Sequence, residues 1–146
     1  MSDAAGLERF VAAQAGIYAT ALAEIRAGRK QTHWMWFVFP QWAGLGSSAT
    51  AQKYAIQDLA EAEAYLRHPV LGTRLKECAE AALSVEGRTA HDIFGWPDDL
   101  KLRSCATLFA RVSLPGSAFA RLLEKYYGGQ PDPRTLALLE ATRQSP

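Results

Sequence analysis

The segment 33–42 is the first place in the sequence where the residue types suggest chemistry. It concentrates aromatic side chains, namely Trp34, Trp36, Phe37, Phe39 and Trp42. Such rings commonly fill a hydrophobic core, because they are the largest apolar groups available. The same rings can also wall a pocket and stack on a planar ligand such as a nucleobase. The sequence leaves both interpretations open for this stretch, which we call the aromatic segment.

Polar residues flank the aromatic segment and favour the pocket interpretation. A basic loop precedes it, Gln41 lies near its end, and the glycines of residues 44–46 allow the backbone to approach a ligand closely. Small-molecule sites usually combine apolar walls with a few convergent polar groups. We therefore predict that the ligand-binding residues of this part of the chain are Lys30, His33, Trp34, Trp36, Phe39 and Gln41.

A second candidate segment covers residues 98–103, where two acidic residues precede two basic ones. One aspartate, Asp98 or Asp99, is enough to cap the helix predicted to follow. Adjacent carboxylates repel each other, so we expect one of them to have a raised pKa suited to acid or base catalysis. Lys101 and Arg103 oppose the helix dipole in the first turn, which indicates a partner there. That partner is either the two aspartates or a bound anion such as phosphate.

Several other chemistries lack their motifs in this chain. The three histidines have no metal-ligand spacing and form no HExxH motif. The two cysteines, Cys78 and Cys105, lie in no CxxC motif, and we expect both to be buried, reduced thiols. The glycines of residues 44–46 lack the rest of a dinucleotide-binding pattern, and no GxSxG elbow is present. The sequence therefore predicts no metal site, no cofactor and no hydrolase triad.

The composition is that of an ordinary globular protein. The chain has 146 residues, of which 49% are hydrophobic and 21% charged, and its formal net charge is +1. A chain of this length can bury one hydrophobic core, so we predict a single domain over residues 1–146. The near-neutral charge argues against nucleic-acid binding, and no apolar run has membrane-spanning length. Because the first residues lack the pattern of a signal peptide, we expect a cytoplasmic protein.

Apolar residues recur at helical spacing through most of the chain. We predict a mainly α fold of seven or eight short helices with at most one short strand. Asp3, Asp58, Thr89 and Asp132 are predicted caps, and Gly28, Gly95 and Gly128 are predicted ends. The aromatic segment is either that strand or a short buried helix ending near Pro40. The predicted helices cover residues 4–27, 49–56, 59–67, 69–85, 90–94, 100–112, 117–127 and 133–143.

Five stretches of the sequence carry a resemblance to a known family. They are LERFVAAQ (7–14), GRKQTHWMWFVFPQWAGLG (28–46), YLRHPVLGTRL (65–75), DIFGWPDDLKLRSCATLF (92–109) and GGQPDPRTLALL (128–139). In these five stretches the chain resembles a bacterial family, domain-of-unknown-function family 1810. Members of that family are often labelled calpastatin in genomes. The resemblance implies an all-helical fold and no known activity. The label does not suit the chain, because calpastatin inhibits through disordered repeats and this sequence has none.

The order of features is also similar to that of the NADAR superfamily, whose helical members act on ADP-ribose-type N-glycosides. An aromatic-rich front segment, a helical middle and an Asp-x-x-Gly turn before a basic helix occur in that order, the turn here being Asp92–Gly95. This resemblance implies an N-glycoside hydrolase. A carboxylate of Asp98 or Asp99, or with less support Asp92, would then stabilise a developing oxocarbenium ion and orient water.

Three hypotheses for the function follow from the sequence. The first is a binder or hydrolase of a nucleotide-like small molecule, with a tryptophan stacked on the base and Lys30, Lys101 and Arg103 on the phosphates. The second is a non-catalytic protein-interaction module that exposes the aromatic segment as a docking patch. The third, nucleic-acid binding through the basic loop and its aromatic neighbours, conflicts with the near-neutral charge. The first requires that the aromatic segment and residues 98–103 line one pocket.

Overall fold

A computed structural model of the chain describes the backbone of residues 6–144 and the side chains of residues 6–141. This part of the chain is mainly α-helical and contains no strand, which confirms the predicted fold class. It has ten helices, more than the seven or eight predicted. They are α1 (Glu8–Gln14), α2 (Tyr18–Arg26), α3 (Met35–Val38), α4 (Ala49–Lys53), α5 (Leu59–Arg67), α6 (Leu71–Ser84), α7 (Ala90–Phe94), α8 (Asp98–Arg111), α9 (Ala118–Tyr127) and α10 (Pro133–Gln144).

The helix predicted over residues 4–27 is interrupted, and this accounts for one of the additional elements. Ala15 is extended and Gly16 has a φ of +79°, so the chain turns between α1 and α2. A glycine inside a helical pattern does not by itself reveal whether the helix continues, because it costs only about 1 kcal/mol there. The predicted end at Gly28 is confirmed by its φ of +75°. The predicted cap Asp3 lies outside the described residues.

The aromatic segment forms the short helix α3 and not a strand. The amides of residues 37–39 donate to the carbonyl oxygens of Trp34 and Met35, and the only sheet-like pairing in the described chain is an isolated bridge between Trp42 and Ile56. The amide of Gln14, at the end of α1, donates to the carbonyl oxygen of Phe37 at 2.8 Å. The segment is therefore held from outside by α1, which a local sequence pattern does not show.

Most of the predicted helix caps are observed. The side chains of Asp58 and Thr89 accept hydrogen bonds from the first turns of α5 and α7. Ser117, which was not predicted as a cap, does the same for α9. Asp132 accepts from Thr135 N at the start of α10 at 3.0 Å. Glu61, three residues after Asp58, does not complete a capping box with it, because its carboxylate accepts from Gln57 N and not from Asp58 N.

The helix that carries the acidic pair starts earlier than predicted. α8 begins at Asp98, and Pro97 occupies the N-cap position without a side-chain cap. Neither Asp98 nor Asp99 is therefore the N-cap, and both belong to the first helical turn. Their carboxylates are free to contact other elements, which the predicted cap would have prevented for one of them.

The hydrophobic core lies around α6 and α8. α8 packs against α7, α9 and α10, and α6 packs against α2, α5 and α9. Both cysteines are buried free thiols in this core, as predicted. No helix of the described chain is long and apolar enough to cross a membrane. The largest fully buried side chains include Phe10, Trp34, Phe39, Tyr65, Phe109 and Phe119.

Candidate functional site

The aromatic segment and the start of α8 meet around a cleft of about 280 Å³, which we call the first cleft. The two stretches are far apart in sequence, and the structure brings them together as the small-molecule hypothesis requires. Six residues predicted as site residues line this cleft, namely Lys30, His33, Trp34, Trp36, Asp98 and Lys101.

Hydrogen bonds of the basic loop explain why these segments meet. Lys30 N donates to the carbonyl oxygen of Ile93 in α7 at 2.7 Å. Arg88, just before α7, donates through Nε to the carbonyl oxygen of Gly28 at 2.8 Å. Because α7 leads directly into α8, these contacts bring the Lys30 side chain to the first turn of α8.

A carboxylate between two ammonium groups forms the charged side of the first cleft. Asp98 Oδ2 lies 2.8 Å from Lys30 Nζ, and Asp98 Oδ1 lies 3.0 Å from Lys101 Nζ. These three side chains, which we call the ion triad, have relative exposures of only 5% for Lys30, 17% for Asp98 and 23% for Lys101. Burial raises the pKa of Asp98, but the two ammonium groups outweigh burial and lower it below its usual value. The expectation of a raised pKa is therefore wrong for Asp98.

Each lysine of the ion triad also lies over an indole ring. Lys30 Nζ is 5.0 Å from the ring centroid of Trp34, and Lys101 Nζ is 4.6 Å from that of Trp36. Cations at such distances are attracted to the negative face of the ring. The same two lysines thus connect the charged side of the cleft to its aromatic wall.

Glu24 in the last turn of α2 organises the loop that enters the site. Its carboxylate accepts hydrogen bonds from Gln31 N at 2.9 Å, Thr32 N at 3.1 Å, Thr32 Oγ1 at 2.8 Å and Trp34 Nε1 at 2.9 Å. Burial raises the pKa of Glu24, but these bonds outweigh it and lower the pKa to about 2. Sequence reasoning missed this residue. An acidic residue in a last helical turn opposes the helix dipole, and that misfit was the available signal.

A second cleft of about 450 Å³ lies on the other side of Trp36 and Lys101, which line both clefts. Two more predicted ligand-binding residues, Gln41 and Arg103, line it. Gln41 is 3% exposed, and its Nε2 is the one buried side-chain polar atom of the described chain without a hydrogen-bond partner. Leaving such a donor unsatisfied costs about 1–3 kcal/mol.

Three predicted site residues line neither cleft. Asp92 belongs to the capping box of α7, where it accepts from Thr89 N at 3.0 Å. Asp99 points away from Asp98, with its carboxylate 2.9 Å from Leu100 N and 3.5 Å from His91 Nδ1. Phe39 is fully buried and packs against the rings of Trp34 and Phe94. Of the predicted carboxylates, Asp98 alone faces the first cleft.

The aromatic segment is not an exposed patch. Trp34 is 2% exposed, Phe39 is 0% exposed and Trp42 is 4% exposed. Both interpretations of the segment apply, because most of its rings fill the core while Trp34 and Trp36 also wall a cleft. A docking surface made of the whole segment is excluded by this burial.

The fold and the cleft together define a class, a helical domain in which an aromatic turn faces the charged start of a long helix. The chain matches the model of the family described as "Protein of unknown function (DUF1810)" over residues 4–139, and it belongs to that family. The crystal structure of the conserved hypothetical protein Rv1873 from Mycobacterium tuberculosis is similar, with 56% sequence identity and a TM-score of 0.92. The match covers 94% of this chain and 99% of that chain. A comparison with curated proteins found no similar protein.

Proposed function

We propose that the protein binds a nucleotide-like small molecule in the first cleft. The observation that carries this proposal is the ion triad of Lys30, Asp98 and Lys101, whose two lysines lie over the indole rings of Trp34 and Trp36. Two ammonium groups face one carboxylate, so the charged side of the cleft has a net positive charge. Indole rings beside a positive charge suit a ligand with a planar ring and an anionic group.

We further propose that the bound molecule is an N-glycoside of the ADP-ribose type, hydrolysed beside Asp98. In this reaction water adds to the anomeric carbon and the bond to the base nitrogen breaks. The bonding electron pair leaves with that nitrogen, and the attacking water releases a proton. Asp98 is an anion at neutral pH, which suits stabilisation of the developing oxocarbenium charge. The remote similarity to the NADAR superfamily supports the same class of reaction.

Binding is tested by calorimetry and thermal shift with AMP, ADP-ribose and NAD. We expect ADP-ribose to bind and stabilise the protein, because ligands that bind only the folded state raise its stability. Trp36→Ala removes one aromatic wall and is expected to weaken binding about tenfold or more. Trp96→Ala is the matched control, because Trp96 is 73% exposed and lines neither cleft. Absence of heat and of a thermal shift with all three compounds would end the binding proposal.

Hydrolysis is tested by comparing Asp98→Asn with Asp99→Asn. Asp98→Asn removes the carboxylate that pairs with Lys30 and Lys101 and competes with an anionic ligand for them, so we expect tighter binding of ADP-ribose. It also removes the stabilising anion, so release of nicotinamide from NAD should fall about 100-fold or more. Asp99→Asn should change neither quantity by more than about twofold. Equal rates for the two variants, measured by chromatography of the released base, would contradict a catalytic role of Asp98.

A further inference from the structure

Trp36 and Lys101 line both the first and the second cleft, so the two clefts are neighbours. The first cleft, at about 280 Å³, is slightly smaller than the roughly 300–1,000 Å³ typical of ligand pockets. The second cleft adds about 450 Å³ directly beyond the shared wall. A ligand larger than one nucleotide can therefore be enclosed only if it occupies both clefts.

We propose that the second cleft binds the second half of a two-part ligand whose halves are joined by a diphosphate at Lys101. The proposal rests on the proposed function, because it takes the first half to lie in the first cleft. Lys101 is the cation that lines both clefts, so it is placed to contact the group that links the two halves. The ligand class is thus a dinucleotide or nucleoside-diphosphate sugar and not a mononucleotide.

The charges of the second cleft fit an anionic ligand. Arg103 and Arg134 join Lys101 in its lining, and Asp132 is the one acidic residue there. The Asp132 carboxylate already accepts from Ser104 Oγ at 3.0 Å and from Thr135 N at 3.0 Å. Arg103 donates only its Nε in the described contacts, to the carbonyl oxygen of Gln130 at 2.9 Å, which leaves its outer nitrogens available.

Gln41 gives the second cleft a specific donor. Its buried Nε2 has no partner within the described chain, although it lies in the lining of this cleft. A carbonyl or hydroxyl oxygen of the ligand would satisfy that donor. An ordinary structural glutamine at 3% exposure would already be paired, since buried polar groups are nearly always hydrogen-bonded.

The test compares nicotinamide mononucleotide, which offers only the half proposed to lie beside Asp98, with ADP-ribose by calorimetry at one ionic strength. We expect Arg103→Gln to weaken ADP-ribose binding about tenfold or more, the effect of losing a hydrogen bond to a charged group. Gln41→Leu should weaken it about fivefold, the effect of losing a neutral hydrogen bond. Binding of nicotinamide mononucleotide should stay within about twofold, which also shows that each variant is folded. Arg111→Gln is the matched control, because Arg111 is an exposed cation at the other end of α8.

The outcomes separate the two proposals. If ADP-ribose and nicotinamide mononucleotide bind the unmodified protein but the two variants weaken both equally or neither, the second-cleft proposal is wrong and the proposed function stands. If neither compound binds the unmodified protein, both proposals fall. A selective loss of ADP-ribose affinity supports the two-part ligand.

Discussion

Each lysine of the first cleft contacts both a carboxylate and an indole ring. The ion pairs of the cleft therefore depend on the position of its aromatic wall. Lys101 contacts the carboxylate of Asp98 and the ring of Trp36 together, so moving either partner disturbs the other. Sequence reasoning identified these three residue positions by their types. It did not identify which aspartate faces the cleft, because neighbouring helical residues differ by about 100° in direction.

Gly46 provides a prediction at the residue scale. A Cβ at this position would lie 2.6 Å from Ala51 Cβ and 2.9 Å from Trp36 Cη2, closer than real contacts allow. Gly46→Ala should therefore displace the indole of Trp36 and lower the free energy of unfolding by about 1–3 kcal/mol. Urea unfolding and ADP-ribose titration measure the two effects. Ser47→Ala, at the exposed neighbouring position, should change neither. A Gly46→Ala variant with unchanged stability would contradict close packing of Gly46 against Ala51 and Trp36.

Secondary-structure elements differ in how far the sequence determines them. The starts of α5, α7 and α10 were predicted because each depends on a cap within three residues. The break at Gly16 was not predicted, since a glycine is compatible with either a continuous or an interrupted helix. The state of α3 was also undecided, because its aromatic residues suit a strand and its length suits a buried helix. The hydrogen bond from Gln14 in α1 to Phe37 in α3 belongs to the tertiary structure, and a local sequence pattern does not reveal it.

Glu24 carries the prediction at the scale of elements, because one carboxylate joins α2 to residues 31–34. Glu24→Gln removes a charged acceptor and leaves donors unsatisfied, so the free energy of unfolding should fall by about 1.5–3 kcal/mol at pH 7. The folded-state pKa of about 2 lies below the ordinary 4.5, so this stabilisation is present above pH 4.5 and is lost as the pH falls toward 2.

Urea unfolding of both proteins between pH 7 and pH 2.5 measures this effect. The difference between them should narrow as the pH falls below about 4.5. Glu63→Gln is the control, since Glu63 is 53% exposed and lies 3.9 Å from Arg67 in a surface pair worth at most about 0.5 kcal/mol. A difference that stays constant with pH would show that the carboxylate charge is not what holds the loop.

At the scale of the whole molecule, the meeting of two distant segments was a requirement of the small-molecule hypothesis and not a deduction. The sequence offered residue types that suit one site, but no local pattern encodes the hydrogen bonds from the basic loop to α7. Lys30 reaches Asp98 only because these backbone contacts place the loop beside α8. The fold class was predictable from periodicity, whereas the pairing of elements depends on packing that a single sequence does not display.

The sealed core gives a prediction for the whole molecule through its two thiols. Cys78 is 0% exposed and Cys105 is 1% exposed. Burial raises the pKa of Cys78 to about 12 and raises that of Cys105 well above its usual value. Neither thiol of the native protein should therefore react with Ellman's reagent within minutes. Both should react after unfolding in guanidinium chloride. Rapid reaction of the native protein would show that the core around α6 and α8 opens readily.

The four hydrogen bonds that Glu24 accepts have a consequence for the association rate of a ligand. Residues 31–34 are already ordered before any molecule arrives, so no loop has to close around it. Encounter should then follow single-exponential kinetics with a rate constant of about 10⁵–10⁷ M⁻¹ s⁻¹, as expected for a preformed surface. Differences in affinity between compounds would then come mainly from their dissociation rate constants.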